Sequence, residues 1–156
     1  MRPLLVFAIS ALCTSAIAQT PAVTVDLEPA VIKPGQISDV TLSVSVPDGT
    51  QPAGLNWTLQ YPPSAIENLV VKAGPATIAA KKTLQCRSVS GTTKCVVFGL
   101  NRNTLASGTL ATISFTAREG AGNSQPGIQV ADVVVANLSG SPIRCVASNR
   151  SVAVRQ

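Results

Sequence analysis

Apolar and polar residues alternate along several stretches of this chain, the two-residue period of strands buried on one face. Val23, Val25 and Leu27 alternate with Thr24 and Asp26, and after Lys33-Pro34-Gly35 the run Val40, Leu42, Val44, Val46 alternates with Thr41, Ser43 and Ser45. Leu55, Trp57, Leu59 and Tyr61 alternate with Asn56, Thr58 and Gln60. Pro62-Pro63 ends that run, because proline has no N–H to give to a ladder. Ala111, Ile113, Phe115 and Ala117 repeat the pattern, and β-branched runs follow at Gly127 to Asn137 and at Ser151 to Arg155, bounded by Gly, Pro, Ser or Asn. No segment carries an apolar stripe of period 3.6. The expectation is an all-β domain, an antiparallel β-sandwich of about eight or nine short strands separated by turns.

The first twenty residues, MRPLLVFAISALCTSAIAQT, follow a different pattern: Arg2, an apolar run from Leu4 to Leu12, then small residues at Ala16 and Ala18. This reads as a secretory signal peptide, residues 1–18, cleaved before Gln19. Bulky Leu12 ahead of Cys13 argues against lipid attachment there. The apolar run is too short to span a bilayer, and no later segment reaches 18 apolar residues, so no membrane span is expected. Residues 19–156 are then one domain, able to bury roughly two thirds of its unfolded surface, and the protein is expected to be secreted, to the periplasm or beyond.

Composition narrows the chemistry. Twelve basic residues against seven acidic ones give a net charge of +5, but aromatics are only 3% and the basic residues are dispersed, a poor basis for binding nucleic acid. Solubility accounts for a charge of this size. The chain has no histidine, Gly-rich phosphate loop or nucleophile elbow. Its carboxylates, Asp26, Glu28, Asp39, Asp48, Glu67, Glu119 and Asp132, fall mostly in turns or on polar sides of strands, whereas a glycosidase needs two held about 5 to 10 Å apart in a cleft. A non-catalytic protein without cofactor or metal is expected. Asn56, Asn137 and Asn149 each open a glycosylation sequon, read here as turn and strand chemistry. Trp57 could serve as a sugar-stacking platform, but it shares parity with Leu55 and Leu59 and is assigned to the core.

Residues 86 to 95, CRSVSGTTKC, hold two cysteines that could bind a metal, run redox chemistry or staple a hairpin. With a two-residue turn at Ser90-Gly91, Arg87 faces Lys94 and Cys86 faces Cys95 in a non-hydrogen-bonded pair, where the Cα atoms are about 4.5 Å apart. That spacing is at the short end of what a disulfide accepts. A zinc site needs about four ligands, and a thioredoxin-like centre needs C-x-x-C in a βαβ setting; neither pattern is present. A Cys86–Cys95 disulfide is therefore expected, contributing about 2 to 3 kcal/mol. Cys145 is left over, either a buried thiol acting as a small hydrophobe or an intermolecular bridge. Arg87 and Lys94 are directly opposed like charges, destabilising unless they reach water or an anionic partner.

The order of these elements resembles the bacterial cohesin domain, the receptor module of cellulosome scaffolds and of many other surface proteins. The likeness is carried by VTVDLEPAVIKPGQISDVTLSVSV (23–46), AGLNWTLQYPPSAI (53–66), CVVFGLN (95–101), GTLATISFTA (108–117) and GIQVADVVVAN (127–137), and so covers nearly all of the chain after the leader. The resemblance implies a nine-stranded jelly roll, related to cellulose-binding modules, that binds a calcium-loaded dockerin through one sheet face. It also implies that the strands at Gly54–Tyr61 and Cys95–Asn101 lie in the recognition sheet. Alternation would then point Leu55, Trp57, Leu59, Val96, Phe98 and Leu100 inward, and leave Asn56, Thr58, Gln60, Val97, Gly99 and Asn101 as the partner-binding face. On this parity and without a bulge the disulfide falls on the outer side. Many cohesins have an acidic residue near the position of Asn56 and Tyr-Asp-Pro where this chain has Tyr61-Pro62-Pro63, which sets it apart from ordinary dockerin pairing. The expected function is a protein-binding module with a dockerin-like partner; a carbohydrate-binding module gripping polysaccharide and a structural subunit of an extracellular assembly are the alternatives.

Overall fold

A computed structural model describes residues 21–120, 126–148 and 151–154. The signal peptide expected at 1–18, the Asn149 sequon and Arg155 lie outside these residues. The described chain forms twelve strands and one short helix, arranged as two sheets around a single core.

The first sheet holds β1 (Val23–Leu27), β3 (Ile37–Ser45), β5 (Ile66–Ala73), β8 (Gly108–Ala117) and β11 (Cys145–Ala147), in the order β11-β1-β3-β8-β5. The second holds β2 (Val31–Ile32), β4 (Pro52–Gln60), β6 (Thr83–Val89), β7 (Thr92–Phe98), β9 (Pro126–Asn137) and β12 (Ser151–Val154), in the order β2-β12-β9-β4-β7-β6, with β10 (Pro142–Ile143) against β9. Most pairings are antiparallel, as expected, but β1 with β11 and β2 with β12 are parallel, so both sheets are mixed. In each parallel pair an early strand meets a late one.

The alternating runs become strands because only one parity is apolar. Val25 pairs with Val44, and Val40 with Ile113, and these side chains point inward with Leu27, Leu42 and Phe115. From the other sheet Leu55, Trp57, Leu59, Val97, Ile128, Val130 and Val135 meet them. Trp57 is 1% exposed and is core, as its parity with Leu55 and Leu59 predicts. Its indole N–H has no hydrogen-bond partner among the described residues.

The described strands number twelve rather than the expected eight or nine, because the short β2, β10 and β11, like β5 and α1, are absent from the sequence pattern. In β5 a bulge between Glu67 and Val70, with Asn68 at φ 53°, breaks the two-residue period. The helix α1 (Pro75–Ala79) is five residues long, too short for a helical stripe to register.

Candidate functional site

The candidate site is the outer face of the second sheet, where strand pairing sets side chains in rows. One row runs Val134 (β9), Asn56 (β4), Val96 (β7), Gln85 (β6). The next runs Ala131, Thr58, Lys94, Arg87, and the one beyond it Gln129, Gln60, Thr92, Val89. At the opposite end Phe98 of β7 pairs with Thr83 of β6, and with Gly54, Ala136 and Leu138 it lines a hollow of about 260 Å³. Val134, Val96 and Phe98 are exposed by 52%, 38% and 41%, so the upper rows present an apolar surface to solvent.

Asn56, Thr58 and Gln60 occupy the central column of this face. Asn56 and Gln60 are exposed, whereas Thr58 is sunk at 5% in the row that holds Lys94 and Ala131. Along β7 the expected parity is reversed. Val97 is 0% exposed and belongs to the core, while Val96 and Phe98 lie outside and Leu100 is fully exposed. The reason is local: CVVF is apolar on both parities, so alternation cannot choose between them. The choice falls to pairing with β4, which sets Val97 opposite Leu55 and Cys95 opposite Trp57.

The same register corrects the side of the disulfide. Cys86 and Cys95 are bridged as expected, with S–S 2.07 Å and Cα atoms 4.1 Å apart, but the bridge lies on the inner side, where Cys95 is buried and Cys86, on the edge strand, is exposed. Only Leu84 of β6 is even partly buried, so the bridge holds an edge that little packing supports. The hairpin turn forms at Ser90 and Gly91, with φ 33° and 79°, the positive values of a type I′ turn. The Gly91 carbonyl accepts from Tyr61 N at 2.9 Å, and a Cβ on Gly91 would stand 2.6 Å from the Tyr61 oxygen.

Gly99 and Asn101 lie beyond the end of β7 and serve the loop. A Cβ on Gly99 would lie 3.0 Å from Lys82 Cδ, so glycine leaves room for the lysine stem. The Lys82 side chain is 7% exposed and donates from Nζ to the Asn101 carbonyl at 3.4 Å. The Asn101 amide donates to Lys81 O at 2.7 Å, and its Oδ1 accepts from Asn103 N at 3.1 Å, tying this loop to the turn after α1. Asn137, the second sequon position, accepts from Ser139 N and Ser141 N through Oδ1 and so organises its own turn.

Sequence reasoning missed Val134, Lys82 and Asp132. Asp132 sits exposed in a β9 bulge at φ 50°, where with Asn56, Thr58, Lys94, Val96 and Val134 it lines a depression of about 390 Å³. A bulge in a β-branched run leaves no mark in the alternation that could have revealed it. Cys145 is half-buried, donates from Sγ to the Val133 carbonyl at 3.2 Å and packs on the core. Among the described residues no three His, Cys, Asp or Glu side chains come together as metal ligands would, and no helix is long and apolar enough to cross a membrane.

A scan against protein-family models finds no match, and no curated protein matches the sequence. Solved structures do match the architecture. A cohesin from Clostridium thermocellum, solved as the OlpC cohesin–dockerin complex, is 15% identical with a TM-score of 0.74, covering 90% of this chain and 99% of its own. The sixth cohesin of scaffoldin B from Acetivibrio cellulolyticus, also solved with a dockerin, gives 13% and 0.72 over 86% and 99%. The fold is that of a cohesin domain. A non-cellulosomal cohesin of the archaeon Archaeoglobus fulgidus, at 14% identity and a TM-score of 0.69 over 86% and 91%, extends the likeness outside cellulosomes. At these identities the cohesin likeness is one of backbone architecture.

Proposed function

We propose that this chain is an exported, non-catalytic cohesin-like module that attaches to a protein partner through the outer face of its second sheet, with a dockerin as the partner type to test first. The observation that carries this reading is the exposed apolar group Val134, Val96 and Phe98 on adjoining rows. Exposed apolar surface rimmed by polar residues is how contact surfaces differ from the rest of a protein exterior. Asn56 stands between Val134 and Val96, and Gln85, Thr58, Lys94 and Arg87 supply polar neighbours on the same row and the next. Cohesins with this architecture have been solved in complex with dockerins, which supports a dockerin-like partner. A disulfide at Cys86–Cys95 fits export to an oxidising compartment.

The test is surface plasmon resonance with calcium-loaded dockerins flowed over the immobilised chain, beside an insoluble-polysaccharide pull-down. The reading expects dockerin binding that Phe98→Asp weakens at least about tenfold and Ile37→Asp, on the other sheet, leaves intact. Polysaccharide retention without dockerin binding would replace it with the carbohydrate-binding reading. Self-association as the sole interaction would favour a structural subunit.

A further inference from the structure

Charge divides unevenly between the two sides of the sandwich. On the first sheet the polar parity carries Asp26, Asp39 and Glu67 with Lys72. On the second sheet's outer face Arg87 and Lys94 are exposed and directly paired across β6 and β7, and Asp132 is the only carboxylate that its strands carry. Neither cation has a carboxylate within 4 Å among the described residues. Lys81 and Arg102 are exposed in the two loops that meet at the Phe98 end. Opposing like charges across a strand pair destabilises a sheet, and although Asp132 lines the same depression as Lys94, it forms no ion pair with either cation.

We propose that the partner held on this face is an acidic protein segment, whose apolar side chains sit on Val134, Val96 and Phe98 while its carboxylates meet Lys94 and Arg87. This deepens the reading of the face as a protein-docking surface and rests on it. The spacing supports it. Val96 and Lys94 are two residues apart on β7, about 7 Å at the rise of a strand. Side chains three or four apart on a helix are about 5 to 6 Å apart, so a helix with apolar and acidic residues at that interval meets both rows. A uronate polysaccharide could answer the cations but would leave Val134 and Val96 without a use. Phe98 alone offers a ring on these rows, too few for sugar stacking, so a protein is favoured.

The experiment is a yeast-displayed library of surface-randomised helical hairpins, selected against the folded full-length chain. Soluble polygalacturonate is assayed in parallel. Expected binders are net acidic with an apolar residue beside the acids. They lose about tenfold or more in affinity on Arg87→Glu with Lys94→Glu, weaken as NaCl rises from about 50 mM to about 500 mM, and ignore Lys72→Glu. Circular dichroism on each variant separates lost binding from lost fold. Binders that are neutral or basic but still fail on Phe98→Asp would keep the docking face and overturn the acidic partner. Selected binders indifferent to both Phe98→Asp and the charge reversals, or no binders at all, would overturn both. Polygalacturonate binding that the charge reversals abolish, with no acidic hairpin selected, would overturn the protein partner in favour of a polyanionic sugar.

Discussion

The outer faces of the two sheets are built from the same alternating pattern but carry different surfaces. On the first sheet the outward positions of β1, β3 and β8 are mostly Thr, Ser or Asp, and its exposed apolar residues, Ile37, Val70 and Val146, stand on three different strands in three different rows, each paired with a Thr or Ser. On the second sheet the matching positions include Val134, Val96 and Phe98, with two unpaired cations beside them. A face with apolar rows stays exposed at a cost in solubility, which is why the second face is assigned the work of contact.

That contrast can be broken most severely by moving a charge one residue along β7. Val97→Asp puts a carboxylate into the core and should cost about 4 kcal/mol or more, enough to unfold a marginal domain. Val96→Asp, its neighbour on the outer face, should stay within about 0.5 kcal/mol of the parent. Urea denaturation of the two variants checks the pair; equal losses would mean that the β7 register is wrong.

Removing the staple comes next in size. Cys86→Ser with Cys95→Ala should lower stability by about 2 to 3 kcal/mol. It should also raise hydrogen exchange in β6 and β7 while sparing β3 and β8, as read by exchange mass spectrometry, because only Leu84 of β6 is even partly buried.

The two faces can then be compared directly. Phe98→Asp should weaken partner binding by about ten- to a hundredfold without unfolding the protein, the size expected for losing a buried aromatic anchor. Ile37→Asp, at a more exposed apolar position on the first sheet, should leave binding unchanged. Calorimetric titration with one bound dockerin or hairpin measures both.

The smallest effect has opposite signs in two assays. Arg87→Glu turns the like-charged pair with Lys94 into an attractive one and should raise stability by about 0.2 to 1 kcal/mol. The same change should weaken an acidic partner. A thermal melt and an affinity measurement on this variant check whether the repulsion is retained for binding.

Much of the sandwich was legible because burial on one side selects one parity. In β1, β3, β4 and β8 the polar residues occupy the other parity, so strand position, facing and the core role of Trp57 could be read from alternation. The Cys86–Cys95 pairing was legible because a two-residue turn counts its partners outward without tertiary information. In β7 that logic has nothing to act on: Val96, Val97 and Phe98 are apolar on both parities, so alternation places Val97 on the outer face, where the structure has Val96 and Phe98. β5 and the Asp132 bulge were hidden for a related reason, since one extra residue shifts every later side chain to the other face.

Local chemistry alone therefore determined the long alternating strands, the hairpin and its bridge, and the assignment of Trp57 to the interior, because each depends on neighbours a few residues away. Only the assembled sheets decided which side of β7 faces solvent, that Val134 and Val96 flank Asn56, and that the Arg87–Lys94 pair has no carboxylate within 4 Å among the described residues. Those facts depend on pairing between strands far apart in the chain, where register is set by the space around Trp57 and by bulges, and alternation in one strand carries no record of either.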